Sequence, residues 1–202
     1  MINLFLKAKH WQIFLLLLGI PLIFQFYVMF TMFMDLDANS NPNPEKMMSF
    51  FGWFPVIMIL FTGLFFGWYW SIAMGLKNKI PAEIKMKTRK FKVFFFFPLL
   101  YILFLLIYMA ALFTGLKTNG FELGNWIIAI ILPIHLFSMF CIFYTTYYVA
   151  KTIKTAELKR KVRFGEFAGE FFLLWFYFIG IWIIQPKVNI LANDNNTTEK
   201  HD

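Results

Sequence analysis

Glu166 and Glu170 stand four residues apart, so on a helix their carboxylates share one face. Two like charges so placed either share a proton or a metal ion, with one pKa raised, or are answered by cations. Arg163, Lys161 and the basic residues of the segment Lys77–Lys92 are the expected cations. Pairing with them needs no cofactor and is the preferred reading. No histidine follows at the spacing of a Glu-x-x-His metal motif.

His135 is the one imidazole or charged side chain deep inside a long apolar run. About ten helical residues into that run it lies ~15 Å deep, near a bilayer midplane. Pro133 frees a backbone carbonyl beside it. Gln25 sits at comparable depth in the first apolar run, four residues after Pro21. One reading makes His135 and Gln25 a polar pair in a path for a proton or small solute. The other keeps His135 neutral, bonded to the freed carbonyl or to Gln25 as glue between helices. The second is preferred, because transporters carry more polar groups at depth.

Other chemistry finds no foothold. The single cysteine, Cys141, excludes a disulfide framework or a cysteine-based metal site within one chain. No P-loop, GxSxG, HExxH or GxGxxG occurs. Gly63 and Gly67 form a GxxxG, a weak close-packing signal in an apolar helix. An enzyme is therefore not expected, and no cofactor is implied.

The elements that position these residues are set by composition. Of 202 residues, 60% are apolar and only 15% charged, against ~45–50% and ~25% in soluble domains. Lipid is the solvent that such a chain suits, and no polar stretch is long enough for a soluble domain. Four runs reach the ~20 apolar residues a spanning helix requires: 11–34, 50–76, 93–116 and 126–150. In hydrocarbon the backbone must satisfy itself, so these are expected to be helices. The first run is too long for a signal-peptide core and lacks a cleavage site.

A fifth apolar segment, 164–188, behaves differently. Its uncharged part, Phe171–Ile184, rises only ~21 Å as a helix, short of a ~30 Å core. Lengthening it drags Glu166 and Glu170 towards lipid. A re-entrant or interfacial helical hairpin returning to the cytoplasm is preferred over a true fifth span, followed by a disordered polar tail over 192–202.

Orientation follows from charge. The segment Lys77–Lys92 holds seven of the 19 cationic residues, and Lys151–Arg163 holds six more. The intervening loops Asp35–Ser49 and Lys117–Gly124 carry a few charges of both signs. An excess of lysine and arginine marks the cytoplasmic side, which places the N-terminus and both basic loops inside. The loop Asn39–Pro44 then faces outward.

The two basic loops also match each other. Ala82-Glu83-Ile84-Lys85-Met86-Lys87-Thr88-Arg89 aligns without a gap with Ala156-Glu157-Leu158-Lys159-Arg160-Lys161-Val162-Arg163, 74 positions later. A duplicated two-helix hairpin, each unit crossing twice and keeping its orientation, is preferred over convergence of two lysine-rich loops, because Ala-Glu and Arg match in register. Pro81 and Glu83 suit the first turn of a short surface helix, but a solvated basic loop that only fixes topology is the preferred reading. Its Lys85, Lys87 and Arg89, like Lys159, Arg160, Lys161 and Arg163 of the second copy, are candidate contacts for anionic headgroups or a protein partner.

The stretch Phe167-Ala168-Gly169-Glu170-Phe171-Phe172-Leu173-Leu174-Trp175, followed by Gly180-Ile181-Trp182-Ile183-Ile184-Gln185-Pro186, resembles the C-terminal part of small uncharacterised polytopic proteins of bacterial inner membranes. That resemblance implies the compartment and transfers no activity.

The expectation is thus an all-α membrane protein: four transmembrane helices in a bundle plus the C-terminal hairpin, in the bacterial inner membrane. Its expected role is that of a non-catalytic accessory or structural subunit, contacting the bilayer and a membrane partner or a second copy, with no nucleic acid. The alternative is a small transporter or channel-like protein with His135 and Gln25 in the path.

Overall fold

The computed structural model describes residues 2–39, 44–118 and 125–193, and the side chains of these apart from 35–51 and 111–128. Every regular element among the described residues is helical. The helices are α1 (Ile2–Lys7), α2 (His10–Phe14), α3 (Ile20–Asn39), α4 (Pro44–Gly75), α5 (Thr88–Thr118), α6 (Asn125–Leu158), α7 (Phe164–Trp175) and α8 (Tyr177–Asn193). A π turn, Leu15–Gly19, joins α2 to α3, and a 3-10 turn, Leu76–Lys79, follows α4.

Among the described residues four stretches are long and apolar enough to cross a membrane: His10–Met34, Gly52–Lys79, Thr88–Ala110 and Ala129–Leu158. They overlap the four expected runs. The helices that carry them run further, α6 for 34 residues, or roughly 50 Å against a ~30 Å hydrocarbon core. The last turns of α6 therefore have room to carry Lys154 and Glu157 beyond hydrocarbon.

The chain from Ile2 to Asn39 is not one regular helix. Between α1 and α2 the chain breaks at Ala8 and Lys9, and the free Lys9 N–H donates to Gln12 Oε1 at 2.8 Å. Further on, Ile20 N–H reaches back five residues to the Leu15 carbonyl. Pro21 follows at once, and a residue without an N–H cannot continue the ordinary ladder, so a local π turn absorbs the mismatch. Pro55, Pro98 and Pro133 lie inside α4, α5 and α6.

Burial is concentrated at the basic end. Trp68, Tyr69 and Ile72 of α4 and Leu76 of the turn after it pack with Phe91 of α5, Ile153 of α6, Phe167 of α7 and Ile184 of α8. Helix α6 is central, touching α4, α5, α7 and α8, while α1 lies between α4 and α8. Away from this end the spans present apolar side chains outward, including Ile23, Phe30, Leu100, Ile107 and Leu136.

Helices α7 and α8 double back on each other. Lys187 and Glu170 are 17 residues apart, about 25 Å along a straight helix. Their charged atoms nevertheless lie 2.7 Å apart. The reversal occurs at Phe176, which leaves helical geometry at φ −91°, ψ 58°. Gly180 makes it feasible: a Cβ there would lie 1.7 Å from the Leu173 carbonyl oxygen. Only a residue without a side chain tolerates that approach.

Of the two readings of the segment 80–87, the surface helix is absent and an irregular loop forms instead. Pro81 holds Ile80 extended (φ −90°, ψ 132°), and Ile84 N–H closes a turn onto the Pro81 carbonyl. The matching residues Ala156–Leu158 instead end α6 as helix, while Thr88 and Arg89 begin α5 where Val162 and Arg163 are irregular, so the two matching segments differ in backbone at both ends. Ala192 and Asn193 belong to α8, and the remainder of the expected tail lies outside the described residues. Residues 40–43 of the loop expected to face outward lie outside them as well.

Candidate functional site

Four side chains at the basic end form a closed ring of alternating charge. Lys154 Nζ is 2.9 Å from Glu157 and 3.3 Å from Glu170. Lys187 Nζ is 2.7 Å from each of the same two carboxylates. The ring is electrically neutral and joins α6, α7 and α8. Glu170 is buried, and burial opposes its ionisation. The Lys187 hydrogen bond and the two ammonium charges outweigh that and hold its carboxyl below the usual range.

Glu166 is answered separately. Its carboxylate accepts from the Arg160 guanidinium and from the Arg163 backbone N–H at 2.7 Å. The Arg160 contact, then the backbone bond, lower its pKa. The second bond is half of a capping box, in which the third helical residue reaches back to the helix start. Glu166 and Glu170 thus face cations as expected, but the side chains that answer them are Arg160, Lys154 and Lys187 rather than Arg163, Lys161 or the first basic loop. Among the described residues no group of three His, Cys, Asp or Glu side chains is arranged to hold a metal ion.

A second knot ties the N-terminus to α8. Gln185 is fully buried. Its Oε1 accepts from Trp68 Nε1 at 2.8 Å, and its Nε2 donates to the carbonyls of Phe5 and Ala8 at 2.8 and 2.9 Å. Asn189 Nδ2 donates to the Leu6 and Ala8 carbonyls, both at 3.1 Å. The end of α1 leaves these carbonyls without helical partners, and the α8 amides supply them. Tyr69 donates to the Leu174 carbonyl at 2.9 Å, fixing α4 against the end of α7.

His135 and Gln25 are not brought together. His135 lies on an exposed face of α6, with Nδ1 3.2 Å from the Tyr101 hydroxyl of α5. Gln25 faces outward on α3. The polar partner of the imidazole is a phenol on the neighbouring helix, not the amide in the first span.

A cavity of about 700 Å³ opens at the basic end between the segment 80–87, α6 and α7. Lys85, Lys87, Lys151 and Lys161 supply its charge; Phe140, Phe143, Tyr147 and Phe171 supply apolar wall. Lys151 Nζ stands 5.9 Å from the centre of the Tyr147 ring. A smaller cavity of about 260 Å³ shares Lys85, Met86, Lys151 and Lys161 with the first and adds Glu83, Ile84 and Thr155. Lys87 and Lys161 occupy equivalent positions in the two matching segments and line the same space.

The other candidate contacts are more peripheral. Arg89 is exposed near the start of α5. Lys159, at φ 53°, donates from Nζ to the Lys79 carbonyl at 2.9 Å and so links the two basic loops. Arg160 and Arg163 are engaged with Glu166. Sequence reasoning missed Gln185, Asn189, Lys187, Lys154 and Thr155. The available signal was Lys187 itself, a cation just past an apolar run that opens with Glu170.

Comparison with protein-family models, with curated proteins and with solved structures finds no match to this chain.

Proposed function

We propose that the chain is a non-catalytic multi-pass protein of the bacterial inner membrane, with its N-terminus and both basic loops in the cytoplasm. In this reading it serves as an accessory or structural subunit, and its basic end meets anionic headgroups or the acidic surface of a membrane partner. The α7–α8 pair is then a re-entrant or interfacial hairpin that returns to the cytoplasmic side.

The observation that carries the reading is the split between the two ends of the molecule. Ion ring, amide knot and apolar core all lie at the basic end. The most apolar stretch of the first span is only 11% buried against its own chain. Lipid gives helices no hydrophobic drive to associate, so a span with so few partners in its own chain is suited to packing against another helix. The positive-inside bias and the C-terminal resemblance support the compartment and orientation.

Native co-purification tests this. The full chain is extracted in a mild detergent and whatever accompanies it in stoichiometric amount is identified by mass spectrometry. A reproducible membrane partner or a defined homo-oligomer is expected. A strictly monomeric protein accompanied only by lipid would count against the subunit reading.

A further inference from the structure

Thr155 is the odd threonine of α6. Thr145, Thr146 and Thr152 each donate their hydroxyl to the carbonyl four residues back, at 2.9, 3.0 and 2.8 Å. That back-bond is the usual refuge of a helical threonine. Thr155 has the same option towards Lys151 and does not take it. Its residue is fully buried, and Oγ1 has no hydrogen-bond partner in the protein. Native proteins rarely strand a buried hydroxyl, so this one calls for a partner from outside the chain.

The surroundings say what kind of partner. Thr155 lines the smaller cavity together with Lys85, Lys151 and Lys161. Among the described residues no carboxylate lies in ion-pair contact with those three lysines, although Glu83 lines the same space. Through the shared lysines this cavity adjoins the larger one, whose lining includes Phe140, Phe143 and Phe171. Three ammonium groups and a hydroxyl suit a phosphate, which offers several acceptor oxygens. The aromatic wall suits a hydrocarbon chain, and the combined volume is of the size of ligand sites.

We propose that the joined cavities bind one anionic amphiphile, its phosphate held by Lys85, Lys151, Lys161 and the Thr155 hydroxyl, its chain lying along Phe140, Phe143 and Phe171. This rests on the reading of the basic end as the face that meets anionic headgroups, and narrows it from a diffuse surface to one site. The matched loops meet here, since Lys85 and Lys87 come from one copy and Lys161 from the other.

Native mass spectrometry of the full chain in a nonionic detergent tests the site. The probes are dioleoylphosphatidylglycerol, dioleoylphosphatidylcholine and inorganic phosphate. Phosphatidylglycerol is expected to saturate at one molecule per chain and to outcompete phosphatidylcholine. The double variant Lys151→Gln/Lys161→Gln should lose about tenfold in affinity or more, the scale of lost charge-assisted contacts. Glu83→Gln should bind more tightly, because a like charge is removed. Thr155→Val should bind several-fold more weakly while its thermal midpoint holds or rises, which separates a ligand contact from a structural one. Lys90→Gln/Lys92→Gln, on α5 and outside both cavities, should bind as the parent does.

Equal losses in the two double variants would overturn the site and leave the general headgroup reading standing. No preference for phosphatidylglycerol over phosphatidylcholine would overturn both. Inorganic phosphate bound as tightly as the lipid, with no loss in Phe143→Ser, would make this an aqueous anion site and overturn the amphiphile.

Discussion

Lys187 and Glu170, 17 residues apart in sequence, are ion-paired at 2.7 Å across the reversal between α7 and α8. The same lysine also pairs with Glu157 of α6 at 2.7 Å, so one ammonium ties three helices. Both partners of the first pair are largely shielded, Glu170 the more so. Their worth lies less in net attraction than in the penalty of leaving one unanswered.

Single and double substitutions should therefore diverge. Glu170→Gln leaves two lysines with one acid, and Lys187→Met leaves two acids with one lysine. Each is expected to destabilise the protein by about 1–3 kcal/mol, discounted from fully buried pairs for residual solvent. Glu170→Gln/Lys187→Met leaves the neutral Lys154–Glu157 pair and should cost less than the sum of the singles. A double-mutant cycle on thermal midpoints in detergent checks this; strict additivity would mean that the ring is not coupled.

Acidification should loosen the same region, and the sign is fixed by the direction of the shifts. The carboxyls of Glu166 and Glu170 are held below the ordinary glutamate value of 4.5 in the folded chain. Their contribution to stability is thus complete above that value and is lost as pH falls through the lowered folded values. Hydrogen exchange of α7 amides should be flat from neutral pH to about 5, after correction for intrinsic rates, and should accelerate below about 4. Loss of protection between pH 6 and 8 would contradict the assignment.

Glycine substitutions separate close approach from mere flexibility. Gly180→Ala drives a methyl into the Leu173 carbonyl and should destabilise by about 3 kcal/mol or prevent assembly of the α7–α8 turn, at the upper end of overpacking effects. Gly165→Ala and Gly169→Ala meet nothing within 4 Å. Both lie in α7 and should be neutral, or more stable by up to about 1 kcal/mol through helix propensity. Expression and thermal midpoint of the three variants make the comparison.

Gln185→Leu removes one acceptor and two donated bonds from a dry site. Trp68 Nε1 and the Phe5 carbonyl lose partners, while Ala8 keeps Asn189. A loss of about 2–4 kcal/mol is expected, from roughly 1–3 per stranded buried group. The readout is protease sensitivity between Ala8 and Lys9, where α1 would detach. Unchanged sensitivity would show that α1 is held by packing alone.

How much of this was legible depends on the range of the interaction. Hydropathy is local, so the four long helices follow from composition and length. The i, i+4 spacing is enough to expect Glu166 and Glu170 on one helical face needing cations. It does not name those cations, because Lys187 arrives only through the reversal at Phe176, and nothing local to Phe176 marks it as a turn. Gly180 reads as an interruption of an apolar run; its close approach to Leu173 is a property of the folded pair. His135 and Gln25 show the opposite failure. Similar depth in two spans suggests a pair, but the face each presents is set by helix rotation, and Tyr101 is the residue that meets His135. Thr155 carries no local signal at all, since three other threonines of the same helix behave conventionally.

The central claim is that the C-terminal segment folds back to the side of the basic loops rather than crossing. Single cysteines placed at Lys90 and at Asn193 in a Cys141→Ser background, labelled with a membrane-impermeant maleimide, test it most directly. Both positions should label in inverted vesicles and stay protected in intact cells whose outer barrier has been made permeable. Labelling of the Asn193 position from the outside, with Lys90 still protected, would make the segment 164–188 a fifth crossing and contradict the account.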